Sequence, residues 1–76
     1  MNQSGVFAAI RAFLEAFKEP QDENVYEATS TLIQGALTQA AVIQFGNHVK
    51  AVEGKYFLRE DVDIEELWEK LLEVSR

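Results

Sequence analysis

Few residues in this chain could carry chemistry. Its 76 residues include one His, His48, and no Cys. A nucleophile–base site needs a Ser, Thr or Cys beside a His that an acid orients. A single His without Cys lacks the other parts of such a site. Glu53-Gly54-Lys55 is too short for a phosphate loop, because the Gly-x-x-x-x-Gly-Lys frame is missing. Nothing resembles a Gly-rich dinucleotide turn. Asp61, Asp63 and Glu65 alternate as the first ligands of some Ca²⁺ loops do, but Glu66 stands where the sharp turn needs glycine. Helix capping accounts for both aspartates and for Glu66 without a metal. One His and no Cys also leave too few ligands for zinc. The expectation is a non-enzymatic protein with no catalytic, metal or cofactor-binding residues.

Charge narrows the choice of partner. Thirteen acids against seven Lys and Arg give a net charge of −6, which repels nucleic acid at long range. The stretch "ATSTLIQGALTQAAVIQFGN", residues 28–47, holds no charged side chain. It is not a membrane span, because Thr29, Ser30, Thr31, Gln34, Thr38, Gln39 and Gln44 are too polar for a lone helix in lipid. The N-terminus shows no basic flank before an apolar run, so the expected compartment is the cytoplasm. A chain of this length forms one domain whose core is modest.

The elements that must position these residues follow from periodicity. Val6, Phe7, Ile10, Phe13, Leu14 and Phe17 fall on one face of a helix over 4–18, which Pro20 ends. A second helix is expected over 23–45, with Asn24 and Glu27 at capping-box spacing and Gly46 as a left-handed C-cap. As one straight helix it puts Leu32, Ile33, Ala36, Leu37, Ala40 and Ile43 on its inner face. Its back carries Thr31, Gln34, Gly35, Thr38, Gln39, Val42 and Phe45. A solvated helix back normally carries Lys, Glu or Arg. This neutral back is therefore expected to be a self-association face, with a symmetric homodimer as the simplest way to cover it. A break at Gly35 would give two shorter helices instead.

After residue 47 the period changes. Residues 48–59 are expected to form a β-hairpin about Glu53-Gly54, with Val49, Ala51, Tyr56 and Leu58 on one face. Lys50, Lys55, Phe57 and Arg59 lie on the other face, the one basic island of the chain, and are expected to face a partner. A last helix over 63–75 is capped by Asp63 and carries the stripe Ile64, Leu67, Trp68, Leu71 and Leu72.

Together these features predict an α+β, mostly helical single small domain in the order helix, helix, β-hairpin, helix. The alternative is an all-α three-helix bundle. The expected core is Phe7, Phe13, Phe17, Leu32, Leu37, Leu67, Trp68 and Leu71. The expected function is a small acidic protein–protein interaction module, acting as regulator, adaptor or inhibitor and self-associating as a dimer. Its acids Asp22, Glu23, Glu60, Asp61, Glu65, Glu69 and Glu73 could meet a basic protein surface. The alternative function needs the break in the second helix. Three helices and a hairpin then sketch a winged-helix DNA-binding regulator with 48–59 as wing. Its recognition helix would hold no Lys or Arg, while phosphate contacts supply most DNA affinity. Nucleic acid is thus the disfavoured partner.

Overall fold

The computed structural model describes residues 2–76, with side chains described from Gly5 onward. The elements are α1 (Asn2–Ala16), β1 (Gln21–Asp22), α2 (Glu23–Ala36), α3 (Gln39–Asn47), β2 (Val49–Val52), β3 (Lys55–Leu58) and α4 (Ile64–Glu73). The strands form one antiparallel sheet in the order β1-β3-β2. The fold is α+β and mostly helical. Among the described residues, no helix is long and apolar enough to cross a membrane.

α1 ends at Ala16, two residues before the expected 18. The chain tightens there through i→i−3 bonds from Phe17, Lys18 and Glu19 to Leu14, Glu15 and Ala16. At this end the Ala16 carbonyl gains a second donor and the Phe17 carbonyl finds its partner in the sheet. Gln21 Nε2 donates to Ala16 O at 2.8 Å, and Leu58 N–H donates to Phe17 O at 2.8 Å. The same contacts deliver the chain into β1, which pairs Gln21 with Tyr56 and Asp22 with Lys55. No strand is expected from the sequence at this position. The two residues of β1 are too few to show a period.

The second helix is not one helix over 23–45. α2 makes its last bond from Leu37 N–H to Ile33 O at 2.8 Å. Thr38 is then extended (φ −150°, ψ 168°), and its Oγ1 accepts from Ala41 N–H at 3.2 Å. Thr38 is thus the N-cap of α3. The break falls at Leu37–Thr38, not at Gly35, which stays inside the last turn of α2. The expected capping box is also absent. α2 starts at Glu23, so Asn24 lies within it, and the N-cap Asp22 makes no side-chain cap bond. Its carboxylate pairs with Lys55 instead.

The break changes which residues reach the core. α3 turns Ala41 and Phe45 inward, both with no exposed surface, and turns Ile43 out to 54% exposure. A straight helix would have done the reverse. The inward set moves by one residue, roughly 100° of helix rotation, and that rotation buries a phenyl ring. Val42, Leu37 and Leu32 are half-buried against the core, as is Phe7, while Phe13 is half-buried. Phe17, Leu67, Trp68 and Leu71 occupy the interior as expected, joined by Ile10, Leu14, Ile33, Leu58 and Ile64.

Aromatic rings tie the layers together. Tyr56 of β3 stacks on Tyr26 of α2 at 4.5 Å, Tyr26 stacks on Phe45 of α3 at 5.4 Å, and Phe45 meets Phe17 edge-on at 5.4 Å. Gly46 serves this column. A Cβ there would lie 3.1 Å from the Tyr26 hydroxyl. Its backbone is not left-handed, since the described residues with positive φ are Glu53 and Gly54. α3 runs past Gly46 to Asn47, and His48 closes it with Nδ1 2.7 Å from Gln44 O. A carbonyl only accepts, so Nδ1 carries the proton of this bond.

The hairpin matches its expected register, Val49 opposite Leu58 and Val52 opposite Lys55. Glu53 (φ 51°) and Gly54 (φ 82°) form its two-residue turn, the type I′ geometry that suits the strand twist. α4 is capped by Asp63, whose Oδ1 accepts from Glu65 N–H at 3.0 Å. It buries Ile64, Leu67, Trp68 and Leu71 as expected, with Leu72 at the margin. Its C-terminal turn is tied back to the helix break. Ser75 Oγ donates to Leu71 O at 2.7 Å and lies 3.0 Å from Thr38 Oγ1. With the Ser75 hydrogen committed, Thr38 donates to Ser75 while accepting from Ala41.

Candidate functional surface

The expected self-association face does not exist as one surface. Thr31, Gln34 and Gly35 are exposed on α2, and Gln39 is exposed at the start of α3. Thr38 is half-buried in its capping bonds, Val42 is half-buried against the core, and Phe45 is fully buried. The helix break is the reason: it separates the first three residues from the last three in rotation.

The break creates a different surface. Gln39, Ala40, Ile43 and Asn47 are all exposed and follow one another at spacings of one, three and four residues along α3, which places them on one outward stripe. None is charged. Ile43 is the most exposed large hydrophobe among the described residues, ahead of Val52 at 48% and Val6 at 38%. Periodicity missed Ile43 and Ala40 because a straight helix points both inward. The available signal was Thr38 with Ala41 three residues on, an N-cap spacing inside an uninterrupted helical pattern.

The hairpin residues stand as expected on its outer face, in two states. Lys55 is committed to Asp22 in an exposed ion pair. Lys50 lies over the Phe57 ring, 5.7 Å from its centroid, in cation–π geometry. Arg59 is exposed, with Nε 3.4 Å from Asn47 O. Among the described residues, neither Lys50 nor Arg59 has a carboxylate at ion-pair distance. Phe57 is half-buried but does not pack against the core cluster. Of the acids, Asp22 pairs with Lys55 and Glu65 with Arg11, while Glu23, Glu60, Asp61, Glu69 and Glu73 stand exposed.

His48 opens on a cleft of about 400 Å³ between the hairpin base and the start of α4. Its lining mixes Arg59 and Lys70 with Asp61, Asp63 and Glu66, and includes no hydroxyl or thiol nucleophile. Among the described residues, no group of three or more His, Cys, Asp or Glu side chains could hold a metal ion.

No family model matches the chain, and no match is found among curated proteins or solved structures.

Proposed function

We propose that this chain is a non-enzymatic protein-interaction module that self-associates through the outward stripe of α3. The observation that carries the reading is Ile43, 54% exposed in a stripe free of charge on an otherwise acidic chain. Interface centres are depleted of charge and use apolar anchors among hydrogen-bonding neighbours. Gln39 and Asn47 supply the neutral polar groups on either side of Ile43. A second copy is the simplest occupant, since a twofold axis lets one patch cover itself. Such a module would work as a small regulator, adaptor or inhibitor. Light scattering over a concentration series tests it. A dimer at micromolar concentration that becomes monomeric on Ile43→Glu, with unchanged helicity, is the expected result. A monomer throughout the series removes the reading.

A second reading has its own support. The break at Leu37–Thr38 supplies the helix, helix, helix, hairpin order on which a winged-helix DNA-binding regulator depends. In that arrangement α3 is the recognition helix. The charge distribution is its weakness, since α3 has no Lys or Arg and the hairpin must supply the phosphate contacts. Fluorescence anisotropy with labelled duplex DNA at low salt separates the two readings. Salt-sensitive duplex binding, abolished by Lys50→Glu with Arg59→Glu, would put this reading first.

A further inference from the structure

The sheet ends in a free edge. In the order β1-β3-β2, the outer side of β2 pairs with nothing among the described residues. The hydrogen-bond phase follows from two contacts. Arg59 N–H donates to His48 O at 3.0 Å, so His48–Arg59 is a bonded pair, and Lys50–Phe57 and Val52–Lys55 share its phase. Leu58 N–H points the other way, to Phe17 O. Val49, opposite Leu58, and Ala51, opposite Tyr56, therefore direct their own N–H and C=O groups away from β3, onto the open edge.

The side chains beside that edge set the sign of what can pair with it. Lys50 rises on the outer face over Phe57, and Arg59 lies on the same face one strand further in. Neither has a carboxylate at ion-pair distance among the described residues, although Glu60 and Asp61 border the same surface. A Lys on a short edge strand discourages pairing with a second copy, because antiparallel β2–β2 pairing brings like charges together. The same Lys favours an acidic strand. Phe57 adds an aromatic surface that the core does not use.

We propose that the open edge of β2 binds an extended acidic peptide segment as a fourth, antiparallel strand. Peptide residues facing the outer side would be Asp or Glu, beside Lys50 and within reach of Arg59 across a strand spacing of about 4.8 Å. Residues facing the inner side would be apolar, beside Val49 and Ala51, and their backbone groups would bond to the edge. This site is separate from the α3 stripe, so its failure leaves the self-association reading standing, and the reverse holds too.

The experiment is a fluorescence anisotropy titration of the whole chain with a labelled alternating Glu-Val peptide, its Lys-Val counterpart, and oligothymidylate. The Glu-Val peptide binds saturably, more weakly as salt rises, and the Lys-Val peptide binds at least about tenfold more weakly, a difference of about 1.4 kcal/mol. Lys50→Glu weakens the Glu-Val complex by a similar factor. N-methylation of the Val residues also weakens it at least about tenfold, whereas N-methylation of the Glu residues is tolerated, because antiparallel pairing aims only the Val amides at β2. The methylated peptides leave the protein unaltered, so a folding defect cannot mimic that result. Equal binding of the Val-methylated peptide, tighter binding of oligothymidylate, or no saturable binding of the Glu-Val peptide would each overturn the proposal.

Discussion

The uncharged stretch runs through the part of α2 beyond Glu27 and the whole of α3, and these two regions lack charge for different reasons. In α3 the reason is partly burial: Ala41 and Phe45 are fully enclosed, and only the stripe through Ile43 faces out. In α2 the exposed side carries Thr31, Gln34 and Gly35, residues that water tolerates and that anchor nothing. Absence of charge thus marks no surface by itself. The informative residue is the large hydrophobe that the rotation of its helix leaves outside, and only α3 has one.

Substitutions can break this contrast, and the largest effect belongs to α3. Phe45→Ala should cost about 3–5 kcal/mol in a urea titration, because Phe17 and Tyr26 both rest on its ring. Thr31→Ala on α2 should stay within about 0.5 kcal/mol of wild type, as an exposed side chain away from special contacts does. Equal losses at the two sites would erase the distinction between the helices.

The junction comes next. Thr38→Ala removes the cap on Ala41 N–H and leaves Ser75 without its donor, at a cost of about 1 kcal/mol. Thr38→Ser should restore most of it. A null effect of Thr38→Ala would mean that the break needs no cap.

Glycines sharpen the comparison at the smallest scale. Gly35 is helical, exposed and has open space where a Cβ would stand. Gly35→Ala should therefore stabilise by about 0.5–1 kcal/mol, raising Tm by several degrees in a chain of this size. Gly46→Ala offers the same propensity gain but sets a Cβ 3.1 Å from the Tyr26 hydroxyl. Tyr26 is held between Tyr56 and Phe45 and has little room to retreat. This substitution should give no net gain, and a rise in Tm equal to that of Gly35→Ala would contradict the packing described for α3.

Much of this architecture is readable from residues alone, where one strong signal acts. α4 shows a cap, Asp63, and a stripe, Ile64 to Leu71, that agree in phase. The hairpin shows a turn and an alternation that fix its register. The two-helix stretch has no such agreement. Its hydrophobes fit a straight helix, and the only mark of the break is a Thr able to cap. Propensity alone pointed to Gly35, but tertiary packing chose Thr38, because turning there buries Phe45. One shift of phase then exchanged the places of Phe45 and Ile43, so the surface residue that matters most was the one periodicity put inside. β1 was illegible for a different reason: it exists only because β3 is there to pair with it.

The claim that α3, and not the back of α2, meets another copy is tested most directly by backbone amide NMR spectra recorded over a dilution series. Ala40, Ile43 and Asn47 should shift together with concentration while Thr31, Gln34 and Gly35 hold still. Shifts centred on the α2 residues, or spectra indifferent to concentration up to the millimolar range, would contradict it.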